Sequence, residues 1–187
     1  MEKKIKKKIE KIKEPLRVKL GCGQNKVEGF KGLDICDGIG ADWVHDLTVY
    51  PWPFEDDSVD EYLAAHVFEH IPALHRGKFM DEVWRTLKMG ASIRVITPGH
   101  MCDRAWQDYS HIMPPIVPSS YNYFMRDYRE FNKLTHGVYD LKCNFSVSIN
   151  GVVDGTWINR SEDAKQFASR HYWNVINDYD VTMIKIP

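Results

Sequence analysis

The sharpest constraint in this sequence is a short apolar run that ends on two glycines. Arg17-Val18-Lys19-Leu20 is long enough for one strand of a buried sheet, and Gly21-Cys22-Gly23 follows at once. Without Cβ atoms the glycines let the backbone turn sharply and come close to a ligand. The same punctuation recurs downstream. Gly32–Ile35 reads as a second strand, Asp42–Asp46 as a third, and Asp60–His66 as a fourth, although the last also suits the start of a helix. From Ala73 to Lys88, Met80, Val83, Trp84 and Leu87 share a helical face, with Gly90 as the expected stop. Ile93–Thr97 is a fifth strand, closed by Pro98-Gly99. Strands separated by crossovers imply an α/β chain with a parallel sheet and helices on its faces.

Residues 98–136 break this rhythm. Pro98, Pro114, Pro115 and Pro118 punctuate a loop, and a helix capped by Ser119 or Ser120 then presents Tyr121, Phe124, Met125 and Tyr128. The 28 residues from Arg104 to Phe131 hold seven of the 23 aromatics, which suits either a lid over a pocket or a small satellite core. Farther on, Lys142–Ile149 is extended and Asn150-Gly151 is the commonest hairpin pair. Ser161 is a helix cap, the helix running to about Tyr172, and Val181–Ile186 is a last strand.

Composition narrows the class. The 187 residues are 43% hydrophobic and 27% charged, a globular balance, and no apolar run is long enough for a membrane span. No apolar signal core follows the charged start, and Cys22, Cys36, Cys102 and Cys143 form no CxxC pair. Reduced thiols in a cytoplasmic protein are therefore expected. The net charge of −1 gives no reason to expect nucleic acid, but the charge is uneven. Residues 1–13 carry seven lysines against Glu2 and Glu10, and Ile5, Ile9 and Ile12 share a stripe. Residues 1–14 thus read as a basic amphipathic helix stopped by Pro15, ahead of a single domain over 15–187.

Asp34 lies 11 residues after Gly23, at the end of the next strand, where a carboxylate can accept both hydroxyl hydrogens of a ribose. Downstream come Asp46-Leu47, then Pro53-Phe54-Glu55-Asp56-Asp57-Ser58-Val59-Asp60, then Ala65-His66-Val67-Phe68-Glu69-His70. With Leu87-Lys88-Met89-Gly90 before the fifth strand, this order resembles the class I S-adenosylmethionine-dependent methyltransferases, in particular their type 11 group, over about residues 16–98. The resemblance implies a Rossmann-like, mostly parallel sheet of seven strands or slightly fewer, with helices on both faces and a reversed C-terminal strand. It implies S-adenosyl-L-methionine as cofactor. Gly21, Cys22 and Gly23 would then face its methionine end, Asp34 its ribose, Ile35 its adenine. Asp46 and the Leu47 backbone would meet the adenine edge, and His66 and Val67 the methyl side. Two positions depart from the pattern: Lys19 stands where an acidic residue is usual, and Asn25 replaces a third glycine. On the resemblance, Gln24 or Asn25 would substitute in holding the cofactor's amino group. The stretch from Gly21 to Asp34 is also too short for the helix that normally follows the first strand.

Methyl transfer from a sulfonium needs an acceptor lone pair held in line, and a base where the acceptor is a hydroxyl. His66, His70, His100 and His111 are the candidates, with Glu69 and Asp108 as orienting carboxylates. Asp108-Tyr109-Ser110-His111 lies in the aromatic segment, so His111 is assigned as base or substrate ligand with Asp108 as its partner, and His66 beside them. His66 and His70 bracket Glu69 in an order unlike HExxH, and His66 ends a strand, so no metal is expected. Asp56, Asp57 and Asp60 lack EF-hand spacing and read as a solvated turn. Ala65–His70 carries no N/D-P-P-Y motif, which disfavours base methylation in nucleic acid. A small or carbohydrate-like acceptor is expected. The alternative is a non-catalytic S-adenosylmethionine-binding or scaffold protein with a degenerate form of the fold.

Overall fold

A computed structural model describes residues 14–187; the basic helix expected over 1–14 falls outside them, apart from its last residue. The described chain forms one seven-stranded sheet: β1 (Arg17–Leu20), β2 (Lys31–Asp34), β3 (Trp43–Val44), β4 (Val59–Ala65), β5 (Leu87–Pro98), β6 (Phe145–Val153) and β7 (Ile176–Lys185). The order is β3-β2-β1-β4-β5-β7-β6. The first five pair in parallel, and β7 runs antiparallel between β5 and β6. Four helices accompany them: α1 (Ala73–Thr86), α2 (Asp103–Gln107), α3 (Arg126–Phe131) and α4 (Glu162–His171). No described helix is long and apolar enough to cross a membrane.

Strand alternation explains which face is core. Val18, Leu20, Tyr62, Ala64, Ile93, Val95, Val181 and Met183 fall on one face by register and are buried, together with Phe79, Met80 and Val83 of α1. Both longer helices lie on this side, α4 beside Ile149, Gly151 and Tyr179 at the β6 end. Residues 21–30 and 35–42 connect β1 to β2 and β2 to β3 by turns alone, as the short spacing requires. The opposite face, with Leu63, Ala65 and Ile96, is only half-buried.

Three boundaries differ from the sequence reading. Gly90 does not stop α1, which ends at Thr86 because Leu87 already pairs with Val59; Gly90 lies inside β5 at φ +78°. Asn150-Gly151 is no hairpin turn but mid-strand, opposite Asp180 and Tyr179. Gly151 is used there for room, since a Cβ would press on Ile176. The aromatic helix expected after Ser119 is two pieces, a 3-10 turn over Pro118–Phe124 and α3, broken at the extended Met125. Tyr121 and Phe124 join the main core against Phe68, while Trp106, Tyr109 and Phe131 remain exposed. The aromatic segment is therefore partly core and partly open surface. Arg129 is buried beneath it, its guanidinium satisfied by the carbonyls of Tyr123, Leu141 and Cys143.

The end of the sheet where the parallel strands begin is tightly clasped. Arg85, in the last turn of α1, donates to both Glu82 oxygens, to Asp56 at 2.6 Å, and to the carbonyls of Phe54 and Trp52. Asp60 accepts from the Leu16 amide and from Lys88. Lys185, almost wholly buried, donates to Asp57 and to the Leu87 carbonyl and sits over the Trp84 ring. Above this clasp Trp52, Phe54, Tyr62 and Phe79 pack edge to face.

Candidate functional site

The opposite end, where β1, β2, β4 and β5 terminate, gathers the residues singled out above. Gly21 and Gly23 both adopt left-handed backbone, φ +55° and +54°, which a side chain would strain. At Gly21 a Cβ would also collide with the Val67 side chain, so the first glycine is a packing requirement. At Gly23 a Cβ would meet nothing within 4 Å; the turn opens here onto clear space. Cys22 is buried with its sulfur against Gly32, and its amide donates to the Leu33 carbonyl. Burial, and then the nearby Asp34 carboxylate, push its thiol pKa up. Cys22 thus anchors the turn to β2 and offers a ligand only its backbone.

Asp34 binds the same turn from the end of β2. Its Oδ2 accepts from the Gly23 amide at 2.8 Å and its Oδ1 from the Cys36 amide at 3.0 Å. Each oxygen keeps further acceptor capacity. Lys19, buried in β1, donates its ammonium to the Asn25 carbonyl at 2.7 Å. The two positions that depart from the family pattern therefore contact each other and hold the loop after Gly23. Ile35 is well exposed beside Asp34. Asp46 uses Oδ1 for the amide and hydroxyl of Thr48, bonds that hold its carboxyl below the usual range. The Leu47 side chain is core and its carbonyl accepts from the Trp52 indole.

His66 follows β4 with φ +54°, an uncommon conformation for a residue that carries a side chain. Its Nδ1 lies 3.4 Å from Glu69 Oε1 and its Nε2 3.9 Å from Asp178 Oδ1. The Glu69 carboxylate raises its pKa, burial opposes that, and Asp178 adds to the rise. Asp178, in β7, is itself gripped by Arg104 at 3.1 Å to each oxygen. Neither Asp178 nor Arg104 was legible as a site residue. Their positions depend on β7 lying beside β5, which no local motif announces.

The Asp108–His111 segment docks on the turn Phe68–His70. The Ile112 amide donates to the Glu69 carbonyl, and Arg76 clamps both the Ile112 and Glu69 carbonyls. Asp108 Oδ1 is taken by the amide and hydroxyl of Ser110, which lower its pKa. Its Oδ2 stands 3.8 Å from His111 Nε2, beyond hydrogen-bond range. The Ala105 carbonyl, 3.1 Å from Nδ1, is what orients the His111 ring. His100, by contrast, pairs with the Tyr179 hydroxyl at 2.9 Å, and burial lowers its pKa. The larger depressions of the surface lie elsewhere. One of about 500 Å³ is walled by Tyr50, Lys78, Glu82 and Trp84, with no strand-end residue of this site.

No protein-family model and no curated protein matched the sequence. Solved structures do match the fold. A SAM-dependent methyltransferase from Archaeoglobus fulgidus superposes with a TM-score of 0.64 at 17% identity, over 91% of this chain and 86% of that one. The structure of a complex between the Trm112 methyltransferase activator and a methyltransferase from Haloferax volcanii gives 0.57 at 15% identity, covering 94% and 84%. An S-adenosylmethionine-dependent methyltransferase from Mesorhizobium loti gives 0.57 at 13%, covering 91% and 90%. The chain thus has the fold of class I methyltransferases, a seven-stranded, mostly parallel Rossmann-like sheet with one reversed strand.

Proposed function

We propose that this chain is an S-adenosylmethionine-dependent methyltransferase of the type 11-like group, acting on a small-molecule or carbohydrate-like acceptor. The arrangement of Gly23 and Asp34 carries the reading: a side-chain-free turn opening onto clear space, bonded at 2.8 Å to a strand-end carboxylate with spare lone pairs. The residues fit the cofactor. Asp34 accepts from the ribose hydroxyls, exposed Ile35 meets the adenine, and Asp46 accepts from the adenine amino group through the oxygen that Thr48 leaves free. The Lys19 ammonium complements the carboxylate of the methionine end. Bound there, S-adenosylmethionine supplies a methyl group on a positively charged sulfur.

With cofactor and acceptor bound, His66 would hold the acceptor's proton on Nε2 as the methyl group is transferred. Glu69 and Asp178, one on each side of the ring, stabilise the imidazolium that results. His111 and Asp108 hold the acceptor. A sugar-like acceptor is favoured by two half-exposed indoles: Trp106, one residue from the Ala105 carbonyl that orients His111, and Trp173, its ring centroid 6.1 Å from that of Trp106. Such faces stack on the apolar side of a pyranose.

The test is release of demethylated cofactor from labelled S-adenosylmethionine over a panel of sugars and small hydroxyl compounds. Turnover is expected with at least one. His66→Asn, which tolerates the left-handed backbone, should lower kcat by about 10²–10⁴ while leaving cofactor affinity in place. A panel without any turnover, or a variant as fast as the parent, would refute the assignment.

A further inference from the structure

Glu69, in the turn Phe68–His70, faces His66 with its carboxylate. It is 5% exposed, yet neither carboxylate oxygen makes a hydrogen bond; the His66 contact at 3.4 Å misses that geometry. A buried carboxylate without such partners is unfavourable; His66 and Arg76 lie close, but Arg76 bonds the Glu69 carbonyl and not its carboxylate. Two imidazoles close on the same point. The rings of His70 and His111 stand with centroids 4.8 Å apart, and one donor atom from each of Glu69, His70 and His111 lies within 4.8 Å of the other two.

The surroundings of the rings suit ligation. His70 Nδ1 faces the Ser110 carbonyl at 3.2 Å and His111 Nδ1 the Ala105 carbonyl at 3.1 Å. A ring donating from Nδ1 to a carbonyl keeps its lone pair on Nε2, the arrangement that orients imidazole ligands in metal sites. On His111 that nitrogen faces Asp108 Oδ2 at 3.8 Å, two electron-rich atoms with a gap a cation would bridge.

We propose that Glu69, His70 and His111 form a binding site for one divalent first-row transition-metal ion, zinc being the best match to two imidazoles and a carboxylate. Two nitrogen donors disfavour magnesium and calcium, which prefer all-oxygen shells. Zinc bonds of about 2.0–2.1 Å set ligand atoms roughly 3.4 Å apart, so the three side chains close by about an ångström on binding. Three protein ligands leave a coordination position open, so with the ion bound His111 would hold an acceptor oxygen through that position rather than directly, with Asp108 at hand and His66 beside Glu69. Spacing along the chain pointed to His66 and His70 and so to no site. The structure pairs His70 instead with His111, which arrives from the docked Asp108–His111 segment. Ion binding does not depend on methyl transfer, and its test uses neither cofactor nor acceptor.

The experiment is calorimetric titration of the chelator-treated, desalted full chain with zinc chloride, with metal content checked by mass spectrometry after dialysis. One equivalent is expected to bind with micromolar or tighter affinity. Glu69→Gln, which keeps the shape, and His111→Ala should each weaken it tenfold or more. His100→Ala, which alters a histidine outside the trio, and Cys36→Ser, which removes the exposed thiol, should leave it unchanged. Cobalt(II) should show the absorption bands of a low-coordinate nitrogen–oxygen site in the parent and lose them in Glu69→Gln. Circular dichroism melts show whether each variant is folded, and Glu69→Gln alone suffices should His111→Ala fail to fold. Absence of a one-equivalent site in the parent, or binding that survives both ligand substitutions, overturns the proposal.

Discussion

The two ends of the sheet are built on opposite terms. Where the parallel strands begin, charge is matched by charge: Arg85 spans Glu82 and Asp56, Lys88 meets Asp60, and buried Lys185 meets Asp57. Where they finish, the chain leaves the Glu69 carboxylate without a hydrogen bond and opens Gly23 onto clear space. A fold can afford such unmet groups at one end because the other end is closed. The difference also separates two kinds of motif. The block Pro53–Asp60, one part of the set of motifs that carries the resemblance, belongs to the clasped end. Its phenylalanine packs on Tyr62 and Trp43, and its acids tie α1, β5 and β7 together. Its part in this structure is to fix the fold.

This contrast is open to direct attack. The largest effect is expected at Gly21, where two penalties coincide. Gly21→Ala should cost about 3–4 kcal/mol, combining left-handed strain with the collision against Val67, and should weaken cofactor binding as well. Adding Val67→Ala should restore about half of the stability, because it relieves the collision and not the strain; no restoration in chemical denaturation would show that Val67 is not the obstacle.

Next comes the clasp. Arg85→Ala should lower stability by about 2–3 kcal/mol, a fall in Tm of roughly 4–12 °C, while cofactor affinity at 25 °C stays within twofold. A large loss of affinity in the folded variant would mean that the two ends are coupled. The smallest effects separate two glycines that both have positive φ and free space around the missing Cβ. Gly23→Ala and Gly90→Ala should each cost about 1 kcal/mol in stability. Only Gly23→Ala should weaken cofactor binding, and equal binding by the two would place the cofactor away from the turn.

Much of the fold was legible because several strands end on residues with distinctive chemistry: β1 on glycines, β2 on Asp34, β4 just before His66. The boundaries that were missed have local reasons. Leu87 satisfies a helical face and a strand face equally well, and its pairing with Val59 decided for the strand. Asn150-Gly151 has the composition of a turn, but the room needed beneath Ile176 gives the glycine another purpose. In the site, Gly21, Gly23 and Asp34 stood out because the second glycine lies only 11 residues before the acid, within one strand–turn–strand unit. Glu69, His70 and His111 were named one by one, but their meeting depends on a loop folding back across the end of β4. Asp178 arrives from the antiparallel β7. Contacts of that range leave no periodic trace in a sequence.

The central claim is that the Gly21–Asp34 end binds S-adenosylmethionine, and calorimetric titration tests it most directly. The parent chain should bind one equivalent of S-adenosylmethionine and of its demethylated product. Asp34→Ala, with folding verified by circular dichroism, should bind both at least tenfold more weakly, as expected for losing a charged acceptor to two hydroxyls. A folded parent that binds neither ligand, or an Asp34→Ala variant that binds them as tightly, would contradict the account.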